Sequence, residues 1–430
     1  SQSQPEEKPE NDETADENHQ EDEQQQEPPE EEQPVIFNRP DEMRAVYLTP
    51  GKEYLAGEDR SQQAVEREIE TALDQAVSLT MNTVVLVTST SEGAAYPSGT
   101  RPQLATAFDP IGYAISAARE RGMYVYCIYD LLTFPDEEDK LTAATFIDNE
   151  VMDKMSAELK AFVTAYQPDG ILFSEYYNPG GEDGYARYLE SGGGIGYERY
   201  RQAASTAAVT KAAQIVRENA RGMQVGLLAH CQWAAQVEDE NGSNTTDAFS
   251  SYTDGGADVK GWVENGLADF LAVENFGSLT DPKVPFATVA DWWGEVAASG
   301  GIPLYLVQAS DRICTSNTGW SSADQISKQI VEAQKVDGYK GSIFNSLTRL
   351  AEDPNDAASL LVKFWNDEVS SDYIMAELAM SQPAKLTYET FEPTVTFQGA
   401  TYPGIPVTIN GEEVSTNQNG YFSVSVGLEP

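Results

Sequence analysis

The sequence predicts an α/β fold and, within that class, a (β/α)₈ barrel of the TIM type. Eight short apolar segments alternate with segments of helical periodicity between residues 44 and 367. Strands that are buried on both faces have this continuous apolar character. Eight strand–helix units in one run are typical of a closed barrel. An open doubly wound sheet is the alternative, but Thr49-Pro50-Gly51-Lys52 after the first strand is not the glycine-rich phosphate turn of that fold.

The predicted strands are short and mostly rich in β-branched or aromatic residues: Arg44–Leu48, Thr83–Val87, Tyr124–Ile128, Gly170–Phe173, Gln224–Ala229, Phe270–Val273, Pro303–Gln308 and Gly341–Phe344. The first helix is predicted from an apolar stripe between Val65 and Val77. Asp109-Pro110 is a typical helix start, and Arg121-Gly122 a typical end. Further helices are predicted at residues 145–165, 197–219, 288–299, 322–336 and 356–367, with a short one at Asp258–Glu264.

Three regions differ in composition. Residues 1–40 are rich in Glu, Gln and Pro, which predicts a disordered acidic linker because too few apolar side chains offset the ordering entropy. Residues 41–375 form the predicted barrel. Residues 385–430 contain short strand patterns and two Asn-Gly hairpin signals, which predict the start of an Ig-like β-sandwich. That region has too few strands to close two sheets, so it is either truncated or a small β appendage.

The charge balance restricts the partners. The chain has 27 basic and 70 acidic residues, a formal net charge of −43. Such a surface repels nucleic acid and anionic membranes and favours an extracellular setting. No apolar run approaches the ~20 residues of a membrane span. These features predict a secreted or cell-surface protein that is tethered, if at all, through its N-terminal segment.

The three cysteines, Cys127, Cys231 and Cys314, contain no CxxC motif and imply no disulfide framework. Cys127 lies in an apolar run and is predicted to be a core residue. Pairing of Cys231 with Cys314 stays open. Only one histidine, His230, lies in the folded region, so the sequence predicts no transition-metal site and no other cofactor. The stretch at residues 239–243 only loosely resembles a calcium loop, and a solvated loop is the better interpretation.

The most informative stretch is residues 169–179, Asp-Gly-Ile-Leu-Phe-Ser-Glu-Tyr-Tyr-Asn-Pro. A buried strand ends here and presents Glu175, Tyr176, Tyr177 and Asn178. The carboxyl ends of barrel strands are where active sites are built. A carboxylic acid between aromatic rings is suited to a sugar ring, so the segment predicts a carbohydrate site.

Five motifs follow one another through the predicted barrel: Arg44-Ala45-Val46-Tyr47-Leu48-Thr49; Asn82-Thr83-Val84-Val85 with Ala95-Tyr96-Pro97-Ser98; Asp109-Pro110 with Ala117, Ala118, Arg121 and Gly122; residues 166–171 through Tyr176 and Pro179; and residues 258–263 with Ala268-Asp269-Phe270. In these motifs and their order, over roughly residues 42–350, the chain resembles a bacterial family of glycoside-hydrolase-like (β/α)₈ barrels found in envelope and secreted lipoproteins, the glycosyl hydrolase-like 10 type. The resemblance implies cleavage of glycans, including peptidoglycan in some members.

The chain is a divergent member by this comparison of motifs. Ser174-Glu175 stands where the family usually has Asp-Asp, and Ser89 aligns with a usual Arg. Asp130 stands in place of an Asn or similar residue, and Val273-Glu274 in place of Pro-Gln. The scaffold therefore matches while the site is rewritten, so the family's activity does not transfer automatically.

Glycoside hydrolysis needs two carboxyl groups across the scissile bond. We predict Glu175 as the general acid, because neighbouring aromatic rings would raise its pKa, and Glu274 as its partner. Asp130 is the third candidate and could equally orient hydroxyl groups or cap a helix. The predicted substrate contacts lie at strand ends and in the following loops: Tyr176, Tyr177, Asn178, His230, Trp233, Asn275, Gln308, Asp311, Arg312, Trp320 and Asn345.

Several of these contacts have a structural alternative. His230 could be a base, a sugar contact or simply a hydrogen-bonded rim histidine. Trp320 is predicted as the exposed stacking platform, whereas at least one of Trp292 and Trp293 belongs to the core. The predicted function is a glycoside hydrolase acting on bacterial cell-wall or environmental polysaccharide. The alternative is a non-catalytic glycan-binding or envelope scaffold protein on a degenerate hydrolase barrel. A different barrel enzyme such as a deacetylase is disfavoured by the single histidine.

Overall fold

The structure is a computed structural model that describes residues 39–428, apart from residues 106, 377–378, 384–389, 391 and 402. The predicted linker at residues 1–40 therefore lies outside the described residues, except for its last two positions. Within the described part, the chain folds as eight parallel strands with helices between them, followed by a smaller β segment.

The eight strands close into a barrel in which each strand pairs with its neighbours along the chain and β1 pairs with β8. The strands are β1 Met43–Leu48, β2 Thr83–Val87, β3 Tyr124–Asp130, β4 Gly170–Ser174, β5 Gln224–His230, β6 Phe270–Glu274, β7 Leu304–Gln308 and β8 Tyr339–Phe344. The predicted (β/α)₈ barrel is confirmed, and an open sheet is excluded. Four strands extend one or two residues beyond the predicted ends, so Asp130, His230 and Glu274 belong to the strands themselves.

Eleven α-helices are described: α1 Gln62–Ser78, α2 Pro110–Glu120, α3 Asn149–Tyr166, α4 Gly181–Glu190, α5 Tyr197–Asn219, α6 Val259–Glu264, α7 Phe286–Gly300, α8 Gln325–Ala333, α9 Leu347–Ala351, α10 Ala357–Trp365 and α11 Ser371–Met375. Asp109 caps α2 as predicted, since its carboxylate accepts a hydrogen bond from the Gly112 amide at 2.9 Å. Helix α4 was not predicted, because its glycines and scattered apolar residues give no clear periodicity.

The barrel interior is filled in layers by alternate residues of the strands. Its packed side chains include Ile128 on β3, Leu172 on β4, Leu228 on β5 and Ala272 on β6. Because side chains alternate between the two faces of a strand, the residue two positions later on each strand also faces the barrel axis. Those residues are Asp130, Ser174, His230 and Glu274. The uppermost layer of the barrel is therefore polar, directly above an apolar filling.

Below this layer, large aromatic rings fill the barrel and leave no space for a side chain at two glycines. A Cβ atom at Gly170 would lie 2.4 Å from the Tyr126 ring, and one at Gly226 would lie 2.2 Å from the Phe270 ring. Such distances are far shorter than van der Waals contact, so these strand positions require glycine. The barrel interior is thus a packed core rather than a ligand cavity, and in this fold active sites are built at the C-terminal mouth.

The C-terminal β segment contains β9 Ala379–Gln382, β10 Thr394–Ala400, β11 Val407–Ile409, β12 Glu412–Val414 and β13 Tyr421–Gly427. Strands β9, β10 and β13 form one antiparallel sheet, and β11 and β12 form a hairpin. The hairpin turn at Asn410-Gly411 has positive φ at both residues, as its sequence predicts. A β segment is confirmed here, and the Ig-like assignment stays a prediction.

Two further expectations concern cysteines and membranes. All three cysteines are free thiols in the structure, so Cys231 and Cys314 are not paired, and Cys127 is buried in the core as predicted. Within residues 39–428, as far as they are described, none of the helices has both the length and the apolar character needed to cross a bilayer.

Candidate active site

Glu175 follows β4 in a backbone conformation that residues other than glycine rarely adopt. Its φ is +47°, in the left-handed region, which interrupts the strand alternation after Ser174. The loop after β3 holds this turn, because the amides of Leu131 and Leu132 donate to the carbonyl oxygens of Ser174 (2.9 Å) and Glu175 (3.1 Å). Adjacent Ser174 and Glu175 are thus both fixed at the mouth, although a regular strand would direct them to opposite faces.

The surroundings of Glu175 favour its protonated form. Burial raises the pKa of this carboxyl group, and the negative charges of Asp130 and Glu274 raise it further, whereas His230 acts in the opposite direction. The side chain nevertheless keeps partial access to solvent. A carboxylic acid that is accessible and whose pKa is raised is suited to donating its proton.

Asp130 receives hydrogen bonds from two serine hydroxyls. Ser89, just after β2, donates to Oδ2 at 2.7 Å, and Ser174 on β4 donates to Oδ1 at 2.7 Å. The Asp130 backbone is fixed as well, since Arg101 Nη2 donates to its carbonyl oxygen at 3.0 Å. Arg101 is itself buried in an ion pair with Glu158. Both carboxylate oxygens are therefore occupied, which favours an orienting role for Asp130 over proton transfer.

His230 and Glu274 form a pair on neighbouring strands. They are register partners on β5 and β6, and His230 Nδ1 lies 2.9 Å from Glu274 Oε2. Burial alone would lower the pKa of His230, but the hydrogen bond to Glu274 and the charges of Glu274 and Glu175 raise it above its usual 6.5. The pair therefore places a histidine–carboxylate contact beside Glu175.

Aromatic rings hold the His230 ring. Tyr177 stacks on it nearly parallel, with centroids 5.3 Å apart and an interplanar angle of 11°. Phe249, in the long loop after β5, meets both rings edge-on at 5.3 Å. Phe249 is 43% exposed, so it presents an apolar face to solvent next to the polar cluster. The mouth thus combines carboxyl groups with an accessible aromatic surface, which is the combination that a sugar ring requires.

Arg201 of α5 joins the two segments that hold these rings. Its Nη1 atom donates to the carbonyl oxygens of Asn178 (3.1 Å), Pro179 (2.9 Å) and Asp254 (2.9 Å), and Nη2 donates to that of Thr253 (2.8 Å). Its side chain is almost completely buried. Because a guanidinium presents five donors in a rigid fork, it can fix several carbonyl groups at once. Arg201 therefore fixes the loop after Tyr177 against the loop that follows Phe249.

The structure brings Asp130, Glu175, Tyr177, His230 and Glu274 together at one mouth. Six other predicted contacts are buried, and their polar groups serve the fold or lie away from solvent: Tyr176, Asn178, Trp233, Asn275, Gln308 and Trp320.

For four of these six residues, a hydrogen bond within the fold accounts for the buried polar group. The Tyr176 hydroxyl donates to the Leu228 carbonyl at 2.7 Å, and Asn275 Nδ2 donates to the Phe286 carbonyl at 2.9 Å. Gln308 Nε2 donates to Gln329 at 2.9 Å, and Trp233 Nε1 donates to Asp258 at 3.1 Å.

Two predictions about tryptophans have opposite outcomes. Trp320 was expected to be an exposed stacking platform, and this is wrong because the side chain is only 1% exposed. Its loop folds back, since the Trp320 amide donates to the Asn317 carbonyl and its own carbonyl accepts from the Thr315 amide. Trp293 is fully buried, which confirms that at least one of the pair at residues 292–293 belongs to the core.

The rim after β7 and β8 holds Asp311, Arg312 and Asn345. The Asp311 amide donates to the Asn345 carbonyl at 3.1 Å, which ties the two loops together, and the Asp311 carboxylate faces solvent. Arg312 Nη1 donates to the backbone carbonyl of Phe276 at 2.9 Å. The guanidinium carbon of Arg312 lies 5.9 Å from the centroid of the Phe276 ring. Arg312 therefore has a structural role in addition to any contact with a ligand.

Sequence reasoning missed Phe249, Arg201 and the convergence of both serines on Asp130. Strand alternation could have placed Ser174 beside Asp130, because the two are register partners on β4 and β3. Phe249 and Arg201 carried no local signal, since one lies in an irregular loop and the other within a helix. Their roles depend on tertiary contacts across more than 20 residues of sequence.

Comparison with known proteins gives relatives of low identity. No protein-family model matches the chain. Glycosyl hydrolase YngK of Bacillus subtilis (strain 168) is 21% identical in an alignment of 360 residues that covers 73% of this chain and 69% of that protein. Glycosyl hydrolase DigH of Escherichia coli (strain K12) is 24% identical in an alignment of 164 residues that covers 36% of this chain and only 37% of DigH.

Solved structures share the fold. The X-ray structure of the endo-beta-1,4-mannanase from Thermotoga petrophila matches with a TM-score of 0.50 at 11% identity, over 91% of this chain and 93% of that structure. At this identity the likeness shows the barrel fold alone. The chain is therefore a TIM barrel with distant sequence similarity to proteins named glycosyl hydrolases.

Proposed function

We propose that this protein is a glycoside hydrolase whose catalytic site is the mouth formed by β3, β4, β5 and β6. The observation that supports it best is that two carboxyl groups at the mouth, those of Glu175 and Glu274, lie in different environments. Burial and neighbouring charges raise the pKa of Glu175, whereas Glu274 accepts a hydrogen bond from His230. Two carboxyl groups in contrasting environments are the requirement for acid–base cleavage of a glycosidic bond.

In the proposed reaction, Glu175 donates its proton to the glycosidic oxygen while the bond from that oxygen to the anomeric carbon breaks. The leaving sugar departs as an alcohol, and the anomeric carbon takes on oxocarbenium character. Glu274 supplies the second carboxylate: it accepts a proton from the attacking water in an inverting reaction, or attacks the anomeric carbon itself in a retaining one. The anomeric configuration of the first product distinguishes the two.

The remaining groups position the substrate and the acid. Asp130, with both oxygens engaged by serines, orients sugar hydroxyls or the Glu175 segment. Tyr177, which stacks on His230, and Phe249, which meets both rings edge-on, provide an aromatic wall beside the carboxyl groups. His230 holds the orientation and charge of Glu274 through the 2.9 Å contact.

The substrate class follows from the resemblances and the charge. The similar proteins YngK and DigH are named glycosyl hydrolases. The barrel motifs resemble the envelope and secreted lipoprotein family of the glycosyl hydrolase-like 10 type, and the net charge of −43 suits a protein outside the cell. We therefore propose a bacterial cell-wall or environmental polysaccharide as substrate, and a secreted or surface-tethered location.

A direct test uses a panel of polysaccharides that includes peptidoglycan, with new reducing ends as the readout. The wild type and Glu137→Gln, an exposed glutamate in the loop after β3, should release reducing ends from at least one glycan. Glu175→Gln should lower that rate by about 10²- to 10⁴-fold, because the amide cannot donate the proton. Full activity of Glu175→Gln on a cleaved glycan would refute the proposed role of Glu175.

One observation favours a second candidate function, a non-catalytic glycan-binding protein. The inward position on β4 holds Ser174, where the resembling family usually has an Asp. If the barrel has lost hydrolysis, glycans should bind at the mouth while no reducing ends form. Binding that Tyr177→Ala weakens, without any cleavage of the same glycan, would support this alternative over hydrolysis.

A further inference from the structure

A surface of four tyrosines lies close to the mouth. Tyr185 and Tyr188 on α4, with Tyr197 and Tyr200 on α5, form an array of rings whose centroids are 5.1–5.8 Å apart. We call these four residues the tyrosine surface. Tyr185 is 48% exposed, and Leu189 and Ile195 beside it are each 57% exposed. A protein with this many charges has no folding reason to leave so much apolar area in one place.

The tyrosine surface is continuous with the candidate site. Arg201, which fixes the carbonyl groups of Asn178 and Pro179, also lies over the Tyr197 ring with its guanidinium carbon 5.7 Å from the centroid. A Cβ atom at Gly180 would lie 2.0 Å from the Tyr197 hydroxyl, so this glycine brings the chain into direct contact with the array. Only five residues separate Glu175 from the start of α4. Arg201 and the short segment 176–180 therefore connect the tyrosine surface to the mouth.

The chemistry of the surface indicates a particular ligand class. Tyrosine combines an apolar ring face with a hydroxyl at its edge, and a sugar ring combines an apolar C–H face with hydroxyls around it. The charges on the same stretches of α4 and α5 nearly balance, with Glu182, Asp183, Glu190 and Glu198 against Arg187, Arg199 and Arg201. A surface without a positive excess, on a chain of net charge −43, does not attract uronic, phosphorylated or sulfated polymers, so it favours an uncharged glycan.

We infer that the tyrosine surface is a second glycan-binding site, which holds the uncharged chain of a polymeric substrate outside the mouth. The inference rests on the proposed function in assuming that the same glycan runs from the mouth to the tyrosine surface. Binding at the surface itself does not require that the protein cleave the glycan. Short substrates that fill only the mouth would not reach the surface. Polymers would gain affinity from both sites on one chain.

The test measures binding separately from cleavage. The full chain carrying Glu175→Gln is run through native gels that contain soluble glucomannan, galactomannan, xyloglucan or laminarin. We expect at least one of these polymers to retard it, and Tyr185→Ala in the same background to weaken the apparent affinity about tenfold, as expected for loss of an aromatic contact. Tyr185→Phe keeps the ring and should retain most of the affinity.

The matched control is Tyr373→Ala on α11, which removes another exposed tyrosine, 40% exposed, and should leave the affinity unchanged. The inference is overturned if none of the four polymers binds, or if Tyr185→Ala binds as tightly as its parent. It is also overturned if light scattering shows a dimer that Tyr185→Ala dissociates, because the surface would then be an interface between two copies. Binding lost with Tyr185→Ala, together with no cleavage by the wild type, would refute the proposed hydrolysis and keep this site.

Discussion

The Nδ1 atom of His230 lies 2.9 Å from the Oε2 atom of Glu274, and the two residues are register partners on β5 and β6. The contact holds the one imidazole in the described part of the chain, on which Tyr177 stacks and which Phe249 meets edge-on. The contact also makes the environments of the two carboxyl groups different, since Glu274 has a histidine partner, whereas the charges of Asp130 and Glu274 raise the pKa of Glu175.

The first prediction is that Glu274→Gln lowers the pKa of His230. The hydrogen bond and charge of Glu274 raise that pKa above 6.5 against the effect of burial, so removing the charge leaves burial dominant. The chain has two histidines, His19 and His230, so nuclear magnetic resonance titration gives only two signals to assign. Glu137→Gln should leave the pKa unchanged. A His230 pKa that does not respond to Glu274→Gln would show that the pair does not form.

The second prediction concerns Asp130 and its two serines. Ser89 and Ser174 both donate to Asp130, each at 2.7 Å. Ser174→Asp alone should destabilise the fold by about 1–3 kcal/mol, because it places a second carboxylate against Asp130 and removes a hydrogen bond.

Adding Ser89→Arg to Ser174→Asp should recover part of this loss, since the guanidinium would neutralise the two acids. The measurement is the free energy of unfolding for both single variants and the double variant, which gives their coupling. Additive effects without coupling would show that the two positions do not act through Asp130.

Much of this arrangement followed from the sequence. The barrel and all eight strands were predicted, because strands buried on both faces leave continuous apolar runs. Glu175, Glu274, Asp130 and His230 were predicted as site residues because they lie at strand ends, and in the structure they lie together at one mouth. The loops were less predictable, because Trp320 is buried in a loop that folds back on itself, and Phe249 packs on Tyr177 and His230 from an irregular loop.

The third prediction tests the role of Arg201 in holding the loops. Arg201→Lys should destabilise the protein by about 2–4 kcal/mol, because one ammonium group cannot replace a fork that donates to four carbonyl oxygens. Arg217→Lys, a half-exposed position on the same helix, is the matched control and should change stability little. Chemical denaturation measures both, and an equally small effect of Arg201→Lys would contradict the account of these loops.

The fourth prediction is that Glu175→Gln stabilises the fold at neutral pH. The pKa of Glu175 is raised on folding, so the wild type loses stability relative to the variant as pH rises from the unfolded value of 4.5 through the folded pKa. Below about pH 4 the carboxyl is protonated in both states and this difference should vanish. Thermal unfolding across that range measures it. A variant that is less stable at neutral pH would mean that Glu175 is a stabilising partner in the fold.

The most direct test of the central claim, that Glu175 is the proton donor, varies the leaving group of the substrate. A glycoside with an alkyl leaving group needs protonation, whereas one with a dinitrophenyl leaving group departs without it. Kinetics of wild type and Glu175→Gln on both give two rate ratios. We predict a loss of about 10²- to 10⁴-fold on the alkyl glycoside and a loss of less than about tenfold on the dinitrophenyl glycoside. Equal losses on the two substrates would contradict the assignment of Glu175 as the acid.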